Sequence, residues 1–234
     1  MLKVALVVID LQEDFLPPDG SLAVADGRSI VPAISDLLNT EKYPWLAVIV
    51  TQDWHPANHC LFASQHGVQP YTELEFEHPL GEKNCVTGEI KKQKQFVWPD
   101  HCVQESFGAT VESLFLEKFE QLNGKLPTAL VKKGYLQDRE YYLCFTDCWK
   151  LHKTEMEEVL QTNGITDVVF VGLAYDFCVL NSAVDCLDSG FNTFVIRSCS
   201  KSVYPDKVDE TEKLYRDAGV HIVETVEDLM KHYT

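Results

Sequence analysis

The chain has 234 residues, a length that suits one α/β domain with a sizeable core. With 20 Lys and Arg residues against 36 Asp and Glu residues, its formal net charge is −16, which disfavours nucleic acid and anionic membrane surfaces as partners. No apolar run approaches the roughly 20 residues of a membrane-spanning helix. The N-terminal apolar stretch lacks a signal-peptide cleavage pattern, so we expect a cytoplasmic protein, with the nucleus and the peroxisome as alternatives.

Short apolar runs alternate with amphipathic stretches along the chain, which predicts alternating strands and helices. The predicted strands are Val4–Ile9, Leu46–Thr51, Ala129–Val131, Val168–Val171, Phe194–Arg197 and Val220–Val223. Such alternation is typical of a mostly parallel sheet covered by helices on both faces. We therefore predict a single-domain, doubly wound α/β fold over residues 1–234.

Between these strands, several stretches have helical periodicity. The stretch VESLFLEKFEQL presents one apolar face, made of Val111, Leu114, Phe115, Phe119 and Leu122. The stretch TEMEEVLQTNG opens with Thr154 and Glu157, which predict a capping box. The stretch DETEKLYRDAG ends at Gly219. By contrast, the polar and poorly periodic segment from His66 to Gln95 predicts a long surface loop.

The stretch VVFVGLAYDFCVLNSAVDCLDSG changes from a buried strand to an amphipathic helix close to Cys178. Asp176 is the candidate N-cap, which would place Cys178 in the first helical turn. Unpaired N–H groups and the positive end of the helix dipole favour a thiolate there, so a lowered pKa is expected. The alternative is a buried structural cysteine, and position alone leaves the two interpretations about even.

The chain contains eight cysteines and no C-x-x-C pair. Without a secretory signal, reduced thiols are expected rather than a disulfide framework. The missing pair also argues against a thiol redox protein.

Ligands of open α/β sheets bind beyond the carboxyl ends of the strands. Four of the predicted strands are followed by residues with reactive or ligating side chains: Asp10, Asp53, His55, Lys133 and Cys178. These residues would therefore meet at one rim of the sheet, at the carboxyl ends of its strands. Separately, an aspartate there is usually a cap and a lysine is usually solvated. Together, an acid could take the thiol proton while a lysine lowers the pKa of the thiol and keeps the acid ionised.

Lys132 and Lys133 are neighbours, and only one of them can point into the rim, because residues alternate faces along a strand. We predict that Lys133, directly before Gly134, contacts Asp10 and the region of Cys178. Lys132 is then expected to point to solvent or to cover a helix.

Asp53 and His55 are two apart and would face the same way in extended backbone. Imidazole and carboxylate together suit Zn²⁺, Fe²⁺ or Mn²⁺. His101 is the best candidate for a third ligand because Trp98 and Pro99 mark a rigid loop entry. The competing histidines are His59, His66 and His78.

Five motifs occur in order between Val7 and Val179: VVIDLQEDF, TQDWHPANH, FVWPDHCV, VKKG and VGLAYDFCV. This set resembles the signatures of the nicotinamidases, within the isochorismatase-like cysteine hydrolases. The run GYLQDREYY further resembles the eukaryotic type. The segment from Gly81 to Gln95 does not match the family pattern, which bears on lid geometry rather than on the chemistry.

The resemblance implies a role for each matched residue. The catalytic triad would be Asp10, Lys133 and Cys178; the metal ligands would be Asp53, His55 and His101; and the pyridine pocket would be lined by Phe15, Trp98 and Phe177. A cis peptide between Leu173 and Ala174 would direct the backbone N–H of Ala174, with that of Cys178, into an oxyanion hole.

By the same resemblance, the activity is metal-dependent hydrolysis of nicotinamide to nicotinate and ammonia, a step of NAD salvage. Zn²⁺ is the expected ion, with Fe²⁺ or Mn²⁺ as alternatives, and pyrazinamide is expected as a further substrate. The small-molecule partner is nicotinamide, and the sequence leaves open whether the protein is a homo-oligomer.

Several rival functions stay open at this stage. A related amidohydrolase of the same fold could act on another carboxamide or on a carbamoyl compound. Isochorismate cleavage needs no nucleophilic thiol, so Cys178 argues against it. A catalytically silent scaffold protein would be expected to have lost a triad residue, and none is lost. Release of ammonia from nicotinamide distinguishes these functions.

Overall fold

A parallel sheet of six strands lies at the centre of the computed structural model, which describes residues 3–233. The strands of the described chain are β1 (Val4–Ile9), β2 (Ala47–Asp53), β3 (Glu73–Glu77), β4 (Lys92–Phe96), β5 (Thr128–Lys133), β6 (Asp167–Leu173), β7 (Asn192–Lys201) and β8 (His221–Val223). The order in the sheet is β5-β2-β1-β6-β7-β8, and every pair of neighbours is parallel. The predicted doubly wound α/β fold is thus confirmed.

Helices cover both faces of this sheet. They are α1 (Val31–Leu37), α2 (Ser113–Glu120), α3 (Met156–Thr162), α4 (Cys178–Asp188), α5 (Val208–Ala218) and α6 (Val226–Lys231). Alternate residues of β1 enter two separate apolar cores, because successive side chains of a strand point to opposite faces. One core contains Leu6 and Val8 with residues of α1, α2 and α6, and the other contains Val7 and Ile9 with residues of α3, α4 and α5. None of the helices within residues 3–233 combines the length and the apolar character needed to cross a membrane.

The order of the strands creates a crevice between β1 and β6. After β1 the chain adds β2 and then β5 to one side of the sheet. It then crosses to the other side of β1 and adds β6, β7 and β8 there. Connections after β1 and β6 therefore leave in opposite directions, which is the arrangement that opens a ligand site at the carboxyl ends of the strands. Asp10 follows β1, and Cys178 lies shortly after β6.

The predicted surface loop between His66 and Gln95 is wrong in part, because the segment contains an antiparallel hairpin of β3 and β4. Alternate residues of both strands are exposed. In the ladder, Glu75 lies opposite Lys94 and Glu77 lies opposite Lys92. Lys92 forms ion pairs with Glu75 and Glu77, and Lys94 forms one with Glu73. β3 alternates Leu74 and Phe76 with exposed glutamates, but β4 has glutamines at its half-buried positions. Only one strand of the ribbon therefore carries the apolar alternation by which strands are predicted.

Two predicted helix details are also wrong. Leu114 does not belong to the buried face of α2 and is 66% exposed, whereas Phe115 and Phe119 are buried. The capping box of Thr154 and Glu157 does not form, because α3 begins at Met156 and the Thr154 hydroxyl donates to the carbonyl of Cys144 instead. The Thr154 hydroxyl still accepts from the Met156 backbone N–H over 3.2 Å, but the Glu157 carboxylate accepts from Lys153 and Gln161 instead of closing the box.

Candidate active site

The turn that follows β1 brings Asp10 into the crevice. Its backbone is left-handed, with φ at 46°, so the chain turns away from the sheet at this residue. Thr51 on the adjacent strand holds Asp10 twice: its hydroxyl donates to Asp10 Oδ1 over 2.6 Å and accepts from the Asp10 backbone N–H over 3.1 Å. Asp10 has no exposed surface.

Lys133 lies at the centre of the buried charges. Its Nζ is 2.8 Å from Asp10 Oδ2 and 2.6 Å from Asp53 Oδ1. It also donates to the carbonyl of Tyr141 over 3.0 Å and lies 3.6 Å from the Sγ of Cys178. Asp10, Lys133 and Cys178 are therefore adjacent, as the strand ends predicted.

The register of β2 and β5 explains why Lys133, and not Lys132, enters the site. Asp53 and Lys133 are directly paired in this parallel ladder. Paired residues point to the same face, so both side chains reach the rim. The Nζ of Lys132 lies on the other side, 3.7 Å from the centre of the Trp54 ring, rather than in free solvent or over a helix.

Cys178 is the first residue of α4, but Asp176 is not its cap. The predicted N-cap role of Asp176 is wrong, because Phe177 occupies that position without a side-chain bond. The Asp176 carboxylate instead accepts from the backbone N–H groups of Val203 and Tyr204, over 2.9 and 2.8 Å. Cys178 keeps its place in the first helical turn, where N–H groups lack intrahelical partners.

Burial decides the protonation of the resting site. It raises the pKa of Cys178 well above its usual value, and Lys133 offsets only part of that effect, so the expected lowered pKa is wrong for this state. Burial also raises the pKa of Asp10 to about 6, again partly offset by Lys133. Burial alone would lower the pKa of Lys133, but Asp10 and Asp53 raise it well above its usual value. The site thus holds a neutral thiol beside a carboxylate of increased proton affinity.

Asp53, His55 and His101 meet beside this triad. Each offers one ligand atom, and the three atoms lie within 4.8 Å of one another. The Nδ1 of His55 donates to the carbonyl of Gly134 over 2.9 Å, and the Nδ1 of His101 donates to that of Pro99 over 2.7 Å. These bonds place a proton on each Nδ1 and direct both Nε2 atoms toward the cluster, which is how metal-binding imidazoles are held. Burial alone would lower the pKa of His55, but Asp53 raises it, so a metal ion that binds there would displace the proton on Nε2.

The donor set fits a divalent ion on three further grounds, one for each residue. His55 Nε2 is buried and has no hydrogen-bond partner. Burial lowers the pKa of His101 to about 4, which keeps that imidazole neutral, as a ligand must be. For Asp53, burial alone would raise the pKa, but Lys133 and His55 hold it below its usual range, so the carboxylate stays ionised. One carboxylate and two imidazoles form a ligand set that zinc commonly takes.

The competing histidines are placed elsewhere or are already bonded. His59 lies beside His55, with ring centres 4.2 Å apart, and its nitrogens contact the Arg139 carbonyl and the Leu61 N–H. His66 bonds to the Cys60 carbonyl. His78 packs against Trp149 in the region of the β3–β4 hairpin.

An apolar pocket opens in front of Cys178. It is lined by the three predicted pocket residues, Phe15, Trp98 and Phe177, and also by Ala174, the residue predicted for the oxyanion hole. The indole N–H of Trp98 donates to the Tyr142 hydroxyl over 2.7 Å, and the ring meets that of Phe177 edge to face at 5.0 Å. The peptide bond between Leu173 and Ala174 is cis.

Sequence reasoning missed five residues that line the same pocket: Leu22, Val24, Glu140, Tyr142 and Val203. Glu140 and Tyr142 belong to the run GYLQDREYY, whose pattern indicates the family but does not show which of its side chains line a pocket. Glu140 is a buried carboxyl whose pKa is raised by burial, with His55 offsetting part of the shift. The three aliphatic residues lie in loops without periodicity, so no pattern marks them.

Known proteins with similar sequences and structures are nicotinamidases and Isochorismatase-domain proteins. Residues 129–227 match the model of the Isochorismatase domain. The nicotinamidase of Saccharomyces cerevisiae is 31% identical, over 94% of this chain and 98% of its own. The solved structure of yeast nicotinamidase Pnc1p, bound to the inhibitor nicotinaldehyde, superposes with a TM-score of 0.87 at 29% identity and covers 95% of this chain and 100% of that one. Pyrazinamidase of Pyrococcus horikoshii in complex with zinc superposes with a TM-score of 0.68 at 26% identity, over 94% and 98% of the two chains.

Proposed function

The chain belongs to the nicotinamidase family of Isochorismatase-domain hydrolases, and on that premise we propose that it hydrolyses nicotinamide to nicotinate and ammonia through a thioester on Cys178. The observation that carries this proposal is the position of Lys133, whose Nζ joins Asp10 and Asp53 and lies 3.6 Å from the Cys178 sulfur. One cation thereby links a base and a nucleophile to the candidate metal ligands.

In the proposed mechanism, Asp10 is the general base and acid. It takes the proton of the Cys178 thiol as the sulfur attacks the carboxamide carbon. The backbone N–H groups of Ala174 and Cys178 stabilise the oxyanion of the tetrahedral adduct. Asp10 then gives its proton to the nitrogen, ammonia leaves, and a thioester remains. Water, deprotonated by Asp10, hydrolyses the thioester to nicotinate and restores the thiol.

Asp53, His55 and His101 are the proposed ligands of one divalent ion, and zinc is the proposed ion because one carboxylate and two imidazoles suit it. The zinc-bound relative supports this choice. When bound, the ion supplies a Lewis-acidic position for the pyridine nitrogen of the substrate. Phe15, Trp98 and Phe177 then enclose the ring and exclude water.

Nicotinamide is the proposed small-molecule partner, and pyrazinamide, another aromatic carboxamide, is a further proposed substrate. The cytoplasm is the proposed compartment, since all eight cysteines are free, which suits a reducing environment.

The decisive assay measures ammonia and nicotinate released from nicotinamide by the zinc-loaded protein. Stoichiometric release of both supports the proposal. A protein that hydrolyses only another carboxamide or a carbamoyl compound would instead support the related-amidohydrolase alternative. Folded, zinc-loaded protein that releases no ammonia from any of these would contradict the catalytic function.

Gly134→Ala is expected to weaken metal binding. Gly134 has φ at 70°, and a Cβ at this position would lie 2.3 Å from Cε1 of His55. The Gly134 carbonyl is the group that accepts the hydrogen bond from His55 Nδ1. The imidazole must therefore move, and disturbing the hydrogen bond that holds a metal-binding imidazole typically costs about 10- to 100-fold in metal affinity. Zinc content after dialysis against a chelator measures the effect.

Gly124→Ala is the matched control. Gly124 has φ at 79°, so alanine meets the same left-handed strain there, but nothing lies within 4 Å of its added Cβ. Gly124→Ala should lose about 1–2 kcal/mol of stability from the left-handed backbone alone. Gly134→Ala should lose more, because its Cβ also displaces His55, and only Gly134→Ala should lose zinc. Equal zinc retention in the two would show that Gly134 does not position His55.

The pH dependence of kcat/KM should report Asp10. Its pKa is raised to about 6, chiefly by burial, and only the ionised form can accept the thiol proton. We expect kcat/KM to fall about tenfold per pH unit below about pH 6. Zinc content measured at each pH separates this titration from loss of the ion. A profile that stays level well below pH 6 with zinc retained would mean that Asp10 is not the base.

A further inference from the structure

Gln12 has no part in the chemistry described so far, yet its side chain is completely buried beside the site. Its Nε2 donates to the backbone carbonyl of Asp53 over 2.8 Å and to that of Ala109 over 2.9 Å. Its Oε1 accepts from the backbone N–H of Asp53 over 2.8 Å. One side-chain amide thus satisfies both main-chain groups of a proposed metal ligand.

The lengths of the strands explain why Asp53 needs this partner. β1 ends at Ile9, and its pairing with β2 extends only to Val8 and Val50. β2 continues to Asp53, and on its other edge β5 pairs with it along the whole way, up to Lys133. The last residues of β2 therefore have a neighbouring strand on one edge only.

The Gln12 amide takes the place of the missing strand. A primary amide presents a carbonyl and an N–H side by side, as a peptide group of a neighbouring strand would. Left alone, the buried N–H and C=O of Asp53 would each be unsatisfied, at a cost of about 1–3 kcal/mol per group. With Gln12 present, both main-chain groups of Asp53 are hydrogen-bonded, as they would be inside the sheet.

We infer that Gln12 is a positioning residue that acts through Asp53, fixing the end of β2 so that the Asp53 carboxylate reaches both Lys133 and the metal position. The carboxylate lies 2.6 Å from Lys133 Nζ and 3.5 Å from His55 Nε2. A small displacement of this backbone would disturb both contacts. The inference rests on the metal role proposed above for Asp53.

Gln52 provides a matched control. It is the residue before Asp53, it is buried, and its Nε2 donates over 2.7 Å to the same Ala109 carbonyl that Gln12 contacts. In contrast to Gln12, the Gln52 side chain makes no hydrogen bond to Asp53 within residues 3–233. Gln52→Met therefore removes a buried amide and a bond to Ala109 but leaves both side-chain bonds from Gln12 to the Asp53 backbone in place.

The experiment compares zinc affinity in the wild type, Gln12→Met and Gln52→Met, by competition between zinc-loaded protein and a chromophoric chelator. We expect Gln12→Met to bind zinc about 10- to 100-fold more weakly and Gln52→Met to stay within about twofold of the wild type. Saturating zinc should restore much of the activity lost in Gln12→Met. Circular dichroism melts check that both variants are folded.

If Gln12→Met does not fold, Gln12→Asn carries the test, because it keeps the amide but is one methylene too short to reach Asp53. Equal zinc affinity in the wild type and a folded Gln12 variant would overturn the inference, and so would equal losses in the Gln12 and Gln52 variants. Wild-type protein that binds no zinc, or Asp53→Ala that binds it as tightly as the wild type, would instead overturn the proposed metal site.

Discussion

Cys178→Ala should fold normally and release no measurable ammonia from nicotinamide. Alanine suits the first turn of a helix, and the side chain it replaces is small and 8% exposed, so the fold should tolerate the change. Loss of a nucleophile removes the covalent pathway, and we expect turnover to fall by at least about 10⁴-fold. Steady-state ammonia release and a thermal melt measure the two properties separately.

Cys186→Ala is the matched control for this variant. Cys186 lies on the same helix and is fully buried in the core formed with α3 and α5, away from the pocket. It should lose some stability and keep its turnover. Rapid quenching during turnover, followed by mass spectrometry, should locate the nicotinoyl thioester on Cys178 alone. Substantial turnover by folded Cys178→Ala, or an adduct on another cysteine, would reject Cys178 as the nucleophile.

The parallel sheet could be predicted because its strands are unusually clear in the sequence. β1 and β6 are buried on both faces, so they read as continuous apolar runs between polar segments. The β3–β4 hairpin could not be predicted in this way, because only β3 alternates apolar with polar residues. β4 has glutamines at its half-buried positions and lysines that pair with the glutamates of β3. Patterns that depend on burial find buried strands and miss exposed ones.

The residues of the site were predictable for a similar reason. Asp10 and Lys133 are polar residues that end apolar strands, which places them at the rim without knowledge of any tertiary contact. Val203 reaches the pocket only because the Asp176 carboxylate holds its backbone, a contact between residues 27 apart. The same contact removed Asp176 from the capping role that local pattern favours. The pKa of Cys178 was missed because helix position is a local property, whereas burial depends on the whole fold.

Lys133→Met should abolish turnover and slow the alkylation of Cys178. Lys133 lowers the pKa of the thiol against the effect of burial, so its removal raises that pKa and leaves less thiolate at neutral pH. It also lowers the pKa of Asp10, so without it Asp10 becomes a protonated acid that cannot act as the base. The rate of iodoacetamide alkylation of Cys178 at neutral pH should fall by more than about tenfold. Because Asp10 and Asp53 lose their shared cation, stability should fall by about 3–5 kcal/mol.

Lys132→Met loses the same charge from the same strand and separates the local effect of the cation from any general effect of charge. Its ammonium packs on the ring of Trp54, a contact worth about 0.5–1 kcal/mol at an exposed site, so stability should change little. Turnover and the alkylation rate should both stay close to those of the wild type, because Lys132 faces away from Asp10 and Cys178.

If Lys132→Met were the inactive variant and Lys133→Met kept its turnover, the assignment of Lys133 to the site would be wrong by one residue in the register of β5. Equal losses in both would mean that the thiol responds to the net charge of the strand rather than to the buried contact at 3.6 Å.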